Sequence, residues 1–140
     1  MVPLALTADQ AALAQAVSGF ADRHHPREYT RKHTDRLAAG ERPTFWADLV
    51  ALGLPGVHLP DEVGGQGGTP DEIAVVLAEA GRALVPGPLL PSVITSAIVA
   101  SAESVAAVSD TLRRFAEGGT GATVDGGHGV RFADGRASGT

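Results

Sequence analysis

A glycine- and proline-rich stretch at residues 52–72, LGLPGVHLPDEVGGQGGTPDE, is the first place where this 140-residue chain could do chemistry. Such a stretch before a helix can bind phosphate, because free backbone amides and the helix dipole attract anions. However, GGQGGT has neither P-loop nor GxGxxG spacing, and Asp71 and Glu72 would repel an anion. We therefore interpret the stretch, taken alone, as a structural connector. If Gly65 has a positive φ, its replacement by valine should lower stability.

The five histidines are the next candidates, and His24, His25 and His33 lie in one region. Neighbouring side chains on a helix point about 100° apart, so His24 and His25 are poorly placed to share a metal ion. No HExxH pattern occurs either. We interpret the region as a solvated helix end and predict no metal site. His58 and His128 lie in loops without a recognisable serine or carboxylate partner.

Two groups of charged residues are interpreted as surface features rather than as catalytic groups. Glu79 and Arg82 are three residues apart, within reach of each other on a helix, and we expect a local ion pair or a contact to a neighbouring loop. Arg113 and Arg114 are expected on the solvated face of a later helix, where either could meet a partner surface. The residues alone therefore assign no catalytic residue.

Composition restricts the class of protein. The chain is 44% hydrophobic, and its net charge of −5 argues against a nucleic-acid surface, which needs clustered basic residues. Cysteine is absent, which excludes disulfides, thiolate metal ligands and a cysteine nucleophile. The N-terminus does not resemble a signal peptide, and the apolar run at residues 89–102 is too short to span a membrane. We therefore expect a cytoplasmic protein.

Apolar spacing predicts five helices, at residues 8–25, 44–53, 70–85, 92–102 and 104–117, with Gly53 and Gly118 as left-handed stops. The fourth has no polar face, so neighbours are expected on several of its sides. A polar stretch at residues 27–42 has no clear helix ends. The residues expected to face inward are Leu13, Val17, Phe20, Phe45, Trp46, Leu49, Leu52, Ile73, Val76, Leu77, Ala80, Leu84, Val105, Val108, Leu112 and Phe115.

Capping residues indicate where three of these helices begin. Thr7 with Gln10, and Thr69 with Glu72, have the spacing of a capping box, in which two side chains satisfy free amides reciprocally. Thr44 is expected to cap the second helix.

The helical period disappears after residue 118, and eight of the 18 glycines fall in the last 23 residues. Residues 121–140, GATVDGGHGVRFADGRASGT, are predicted to form short strands joined by Asp-Gly turns. A lone hairpin is marginally stable in water, so these strands need partners. The sequence therefore predicts a mainly α fold: an all-helical domain at residues 1–118, then the first short strands of an incomplete β-domain at residues 119–140.

Three segments together resemble the N-terminal helical domain of the acyl-CoA dehydrogenase family. Residues 45–68, FWADLVALGLPGVHLPDEVGGQGG, are similar to its aromatic-led helix, Leu-Gly turn and Pro-acid-acid-x-Gly-Gly-x-Gly loop. Residues 78–92, AEAGRALVPGPLLPS, resemble its Glu-x-x-Gly/Ala-Arg segment and proline-rich turn. Residues 112–124, LRRFAEGGTGATV, resemble its exit into the middle β-domain, whereas residues 1–42 match in layout only. The resemblance implies that the glycine- and proline-rich stretch described first, from here on called the glycine-rich loop, connects two helices.

The resemblance also implies an enzyme of lipid metabolism with a helical domain, a β-domain and a C-terminal helical bundle, which dehydrogenates acyl-CoA thioesters. FAD would be held mainly by the β-domain, the bundle and a neighbouring subunit of a homo- or hetero-oligomer, a dimer or tetramer. A glutamate base would lie in the bundle, and a separate electron-transfer acceptor would reoxidise the flavin. These segments would follow Thr140, so the chain has no assigned catalytic residue, its flavin contacts are unknown and it is expected to be inactive alone.

Several functions stay open at this point. The stretch after Ala116 lacks the Thr-Glu-Pro-like and Gly-Ser-Asp-like elements of many members, which resembles divergent bacterial members that work as paired unlike subunits. The chain is therefore interpreted as part of a catalytic subunit, of a non-catalytic partner subunit that shapes an acyl pocket, or of a related flavin monooxygenase. A freestanding helical interaction domain is disfavoured, because exposed strand edges invite aggregation.

Overall fold

Helices make up most of the chain that the computed structural model describes, which comprises residues 6–102, 104–123, 131–133 and 136–138. The described helices are α1 (Ala8–His24), α2 (Pro26–Lys32), α3 (Thr34–Ala38), α4 (Trp46–Ala51), α5 (Pro70–Arg82), α6 (Leu89–Ala100) and α7 (Val105–Ala116). Two 3-10 turns, Leu54–Gly56 and Asp61–Val63, lie between α4 and α5. The predicted mainly α fold is confirmed. None of the described helices is both long and apolar enough to cross a membrane.

Both predicted capping boxes are present. The Thr7 hydroxyl accepts from the Gln10 amide at 3.2 Å, and the Gln10 side chain accepts from the Thr7 amide at 3.0 Å. At α5 the Glu72 carboxylate accepts from the Thr69 amide at 2.6 Å. These bonds satisfy amides that a helix start leaves free, so α1 and α5 begin where the sequence predicts.

The helices pack around a main apolar cluster that joins α1, α4, α5 and the first half of α6. The helices α1 and α5 lie against each other, and α6 packs beside α7. The buried members of the main cluster are Val17, Phe20, Phe45, Trp46, Leu49, Leu54, Val57, Ile73, Val76, Ala80, Leu89 and Val93. A second, smaller cluster joins Leu112 and Phe115 of α7 to Leu59 and Val63 of the loop.

The expected start and end of the second helix are wrong. Thr44 makes no cap, because α4 begins at Trp46 with Phe45 in the capping position. The helix ends at Ala51, so Leu52 lies beyond the helical face and is exposed instead of buried. Gly53, by contrast, has the predicted left-handed conformation, with φ 71°.

Two other expected inward residues are also exposed, and each lies at a helix end. Leu84 follows α5 in a left-handed conformation, with φ 55°, which turns its side chain away from the inner face of the helix. Val105 is the first residue of α7 and lies before the turn that packs against the core. The polar stretch at residues 27–42 contains most of α2 and all of α3.

Two short strands lie near the C-terminal end, as predicted. The strands β1 (Arg131–Ala133) and β2 (Arg136–Ser138) pair antiparallel, with Phe132 opposite Ala137. The predicted Asp-Gly turns at residues 125–126 and 134–135 lie outside the described residues.

Candidate functional site

The backbone amides of the glycine-rich loop are already used within the protein. Between residues 64 and 68 every amide donates to a carbonyl of residues 56–61, at 2.7–3.1 Å. The next amide, that of Thr69, donates to the Glu72 carboxylate. A phosphate cradle needs free amides that converge on the anion. The loop offers none between residues 64 and 69, so the interpretation as a structural connector is confirmed.

Close backbone packing, rather than a left-handed conformation, explains the glycine at position 65. Gly65 has no positive φ, in contrast to Gly64 and Gly67. A Cβ atom at this position would overlap the carbonyl group of Leu59, which accepts the Gly67 amide at 2.8 Å. The expected loss of stability on substitution remains, but the positive-φ reason is wrong.

The loop joins the two apolar clusters of the fold. Leu54 and Val57 belong to the main cluster, whereas Leu59 and Val63 pack with α7 in the smaller one. Successive parts of the loop therefore pack in different clusters, the first with residues of α1, α4, α5 and α6 and the second with residues of α7. This explains why an irregular segment with self-satisfied amides stands between two regular helices.

A histidine–serine contact that the sequence did not reveal links the loop to α6. The Nε2 atom of His58 lies 3.0 Å from the Oγ atom of Ser96, and the Ser96 hydroxyl donates to the Val93 carbonyl at 3.0 Å. A hydroxyl has one proton, so with the Ser96 proton on the Val93 carbonyl the ring donates from Nε2 and Nδ1 is left as a bare acceptor. Nδ1 is buried without a hydrogen-bond partner among the described residues. Sequence reasoning missed the pair because 38 residues separate its members.

The geometry of this pair does not suit nucleophilic catalysis. Ser96 is only 1% exposed, and its proton is directed to its own helix rather than to the imidazole. A serine nucleophile needs a substrate-accessible hydroxyl whose proton the histidine accepts. Burial also lowers the pKa of His58 below the ordinary value of histidine, which keeps the ring neutral near pH 7. We therefore assign the pair a structural role.

The three histidines near α2 have different surroundings. His24 is half-buried against Phe20 and Phe45, with ring centroids 4.5 and 5.3 Å away, and its Nε2 atom lies 3.5 Å from Asp48. His33 stacks on the Tyr29 ring at 4.1 Å. The expected solvated helix end is therefore wrong for both residues, which pack against aromatic rings.

His25, by contrast, is exposed and takes a left-handed conformation, with φ 45°, at the end of α1. Throughout the described ranges, no three histidine or carboxylate side chains come together as metal ligands would. His128 lies outside those ranges.

The predicted Glu79–Arg82 ion pair is confirmed, because Arg82 lies 2.8 Å from Glu79. Arg113 and Arg114 are exposed, as expected, and Arg113 also lies 2.7 Å from Asp110. Arg27 of α2 also donates to the Arg82 carbonyl at 3.0 Å, which ties α2 to the end of α5. The adjacent open groove of about 430 Å³ is lined by charges of both signs, so it favours neither an anion nor a cation.

One face of α6 is an exposed apolar stripe formed by Leu90, Ile94 and Ile98, which are 53%, 43% and 55% exposed. These residues are four apart, so they follow one another along the same side of the helix. As expected, α6 has neighbours on several sides, in α7, the first 3-10 turn and the main cluster, but this face is exposed in the described structure. Contiguous apolar surface is typical of interaction sites when the patch is large.

The other side of α6 holds the segment that follows α7. The Ser92 hydroxyl, buried on that side, accepts from the Gly121 amide at 3.2 Å. The Gly118 carbonyl accepts from the Trp46 indole at 2.9 Å and from Arg42 at 3.3 Å. Gly118 has the predicted left-handed conformation, with φ 88°. The path of residues 118–121 is therefore fixed against α4 and α6.

Comparison with known proteins gives a consistent result. The family described as acyl-CoA dehydrogenase, N-terminal domain, matches residues 7–118. The protein named acyl-CoA dehydrogenase FadE34, from Mycobacterium tuberculosis, is 35% identical over 125 residues, or 89% of this chain. The protein named acyl-CoA dehydrogenase IpdE2, from Mycolicibacterium smegmatis, is 32% identical over 113 residues, or 80% of this chain. These alignments span only 17% and 35% of the two relatives. No solved structure matches the chain significantly.

Proposed function

Because the chain belongs to the acyl-CoA dehydrogenase family, we propose that it is the N-terminal portion of a flavoenzyme that introduces a double bond between the α and β carbons of an acyl-CoA thioester. The helical domain comprises residues 1–118, where the family match also ends, and a β-domain begins at residue 119. The whole enzyme is a cytoplasmic oligomer that passes its electrons to a separate acceptor. The 140-residue chain alone is inactive.

The exposed stripe on α6 is the observation that supports this proposal most directly. Burial of apolar surface is favourable by about 25 cal/mol of free energy for each Å². The exposed parts of Leu90, Ile94 and Ile98 would gain this free energy if a partner covered them. An acyl chain, together with the apolar side chains that enclose it, could pack on the stripe, because these groups have no polar atoms that need hydrogen-bond partners. In this proposal α6 contributes one wall of the acyl pocket.

FAD does not fit the glycine-rich loop of the described structure. Its pyrophosphate needs free amides or cationic side chains that converge on it. The loop amides at residues 64–69 all have acceptors, and Asp71 and Glu72 follow them. Flavin supplies the hydride acceptor when bound. The contribution of this chain is to orient the acyl group and exclude water from it, while the flavin site and the base belong to other segments of the enzyme.

Flavin titration of the isolated 140-residue chain tests this division of roles. We expect no stoichiometric FAD after purification, no quenching of flavin fluorescence during titration and no acyl-CoA-dependent reduction of an artificial electron acceptor. Full-length acyl-CoA dehydrogenase FadE34, assayed in parallel, is the positive control for the flavin measurements. Stoichiometric flavin in the isolated chain would overturn the proposal, because it would place the flavin site among these residues.

A non-catalytic partner subunit that shapes the acyl pocket is the second candidate. The same stripe supports it, since a pocket wall is needed whether or not its own subunit carries the base. The two candidates differ in the C-terminal bundle of the same subunit. A glutamate at the base position of that bundle supports the catalytic subunit, and its replacement by a residue that cannot accept a proton supports the partner subunit.

A further inference from the structure

His58 lies at the point where the glycine-rich loop closes on itself. The carbonyl of Val57, just before it, accepts from the Gly68 amide at 2.7 Å, and the carbonyl of Leu59, just after it, accepts from the Gly67 amide at 2.8 Å. Between these two bonds the His58 side chain reaches Ser96 on α6. The His58 side chain therefore attaches the loop to α6, a helix distant in sequence, at the place where these two backbone hydrogen bonds join the two ends of the loop.

We propose that the His58–Ser96 contact is a proton-sensitive latch. It holds the loop against α6, the closed form, while the imidazole ring is neutral, and it breaks when the ring is protonated, which gives the open form. The neutral ring needs one acceptor, the Ser96 hydroxyl at Nε2, and tolerates a bare Nδ1. An imidazolium donates from both nitrogens. The described residues offer no acceptor to Nδ1, which is out of contact with solvent, so the protonated ring must leave its position to reach water.

The elements that pack around the ring, so far as the structure describes them, bury no charged side chain beside it. No ionisable side chain lies on α6, the helix that holds Ser96. The first 3-10 turn, which precedes His58, packs against α4, α6 and α7. The charged residues of α4, of α7 and of the 3-10 turns are Asp48, Asp61, Glu62, Asp110, Arg113 and Arg114, and all six are exposed. Burial is accordingly the cause that lowers the pKa of His58.

The direction of the pH dependence follows from this lowered pKa. When the His58–Ser96 contact is broken, the ring lies in water and has the ordinary histidine pKa of about 6.5. When the contact is formed, burial lowers the pKa of the ring. The closed form is therefore fully stable above about pH 6.5 and loses stability as the pH falls from there towards the lowered pKa. The opening constant should rise by up to about tenfold per pH unit in that range.

Release of the latch would act on α6. The side of α6 that contains Ser96 holds the loop, and the same side holds residues 118–121 through Ser92. The opposite side is the apolar stripe. Loss of the His58 contact removes one of these two polar attachments, so protonation loosens the helix that presents the stripe. This inference concerns the chain by itself and does not depend on flavin or on dehydrogenase activity.

Amide hydrogen exchange measured by NMR on the 140-residue chain tests the latch. Between pH 7.5 and 5.5 we expect the protection factors of the Gly67 and Gly68 amides, corrected for intrinsic exchange, to fall by up to about tenfold per unit below pH 6.5. In His58→Gln, whose amide keeps a donor for Ser96 but does not titrate, they should stay constant. An equal fall in both proteins, or no fall in the unsubstituted chain, overturns the proposal.

Two serine variants test the same contact at a fixed pH. Ser96→Ala removes the partner of His58, so at pH 7.5 we expect the protection of Gly67 and Gly68 to fall by about tenfold. Ser101→Ala is the matched control, because Ser101 caps the C-terminal end of α6 and also donates to the carbonyl three residues earlier, at 2.7 Å, but its side chain is exposed. Equal protection in the two variants contradicts the latch.

Discussion

Replacement of Gly65 by alanine should lower the free energy of unfolding by about 3 kcal/mol or more, the high end for an overpacked site that also loses a hydrogen bond. The added methyl group overlaps the Leu59 carbonyl, so either this carbonyl or residue 65 must move. Movement of the carbonyl breaks its bond from the Gly67 amide and pulls Leu59 out of its cluster with α7. Urea unfolding at 25 °C, followed by circular dichroism, measures the change.

Gly81→Ala is the matched control for this substitution. Gly81 lies in the last turn of α5 without a positive φ, and apart from its chain neighbours and the backbone of its own helix no heavy atom lies within 4 Å of the place where its Cβ would be. Alanine should therefore raise the free energy of unfolding by up to about 1 kcal/mol, because glycine is the poorer helix former. Equal stability of the Gly65→Ala protein and the unsubstituted chain would contradict the packing described for the loop.

Replacement of Leu112 by alanine should lower the free energy of unfolding by about 2–5 kcal/mol, as for other fully buried leucines. Leu112 is 0% exposed and packs in the cluster that joins α7 to Leu59 and Val63 of the loop. The cluster has only four buried residues, so the remaining three cannot fill the cavity without moving the loop. This loss is a large fraction of the 5–15 kcal/mol that is typical of a whole domain. Urea unfolding again provides the measurement.

Leu90→Ala is the control for Leu112→Ala in the same experiment, because it measures how truncation of a leucine in the exposed stripe changes the free energy of unfolding. Leu90 is of the same residue type but is 53% exposed on α6, so its truncation should change stability by no more than about 0.5 kcal/mol. A loss for Leu90→Ala as large as that for Leu112→Ala would mean that the stripe is buried in the isolated chain. That result would contradict the proposal that the stripe is free in the isolated chain to bind a partner.

Local sequence signals predict correctly those elements that depend on neighbouring residues. The capping boxes at Thr7 and Thr69 need only residues three positions away, and both form. Gly53 and Gly118 supply the predicted left-handed turns. The Glu79–Arg82 ion pair likewise forms between residues one helical turn apart. Each of these features is decided by contacts within about one turn of helix, which a single sequence contains.

The features that sequence reasoning missed depend on residues far apart in the chain. The His58–Ser96 contact spans 38 residues, and neither residue belongs to a recognisable motif. The need for glycine at position 65 comes from Leu59 across the loop, not from the local φ. The apolar pattern of α6 predicts neighbours on several of its sides, but it does not show which sides they cover. The domain division and the flavin contacts stay predictions.

The central claim is that this chain is the helical N-terminal portion of an acyl-CoA dehydrogenase and contributes an acyl-pocket wall instead of a flavin site. A chimera tests it most directly, with residues 7–118 replacing the matching segment of acyl-CoA dehydrogenase FadE34. We expect a folded chimera that retains the relative's FAD content and oxidises an acyl-CoA substrate within about tenfold of the parent rate, since the family fold is kept. That factor corresponds to about 1.4 kcal/mol in transition-state stabilisation.

Two variants of the chimera identify the contribution of the stripe. The double variant Ile94→Ser, Ile98→Ser should lose more than about tenfold in kcat/KM, because it introduces hydroxyls into the pocket wall. Leu84→Ser should keep the chimera's rate, because Leu84 is equally exposed, at 58%, but lies outside α6. A folded chimera without FAD or acyl-CoA oxidation, or equal rates for the two variants, would contradict the account.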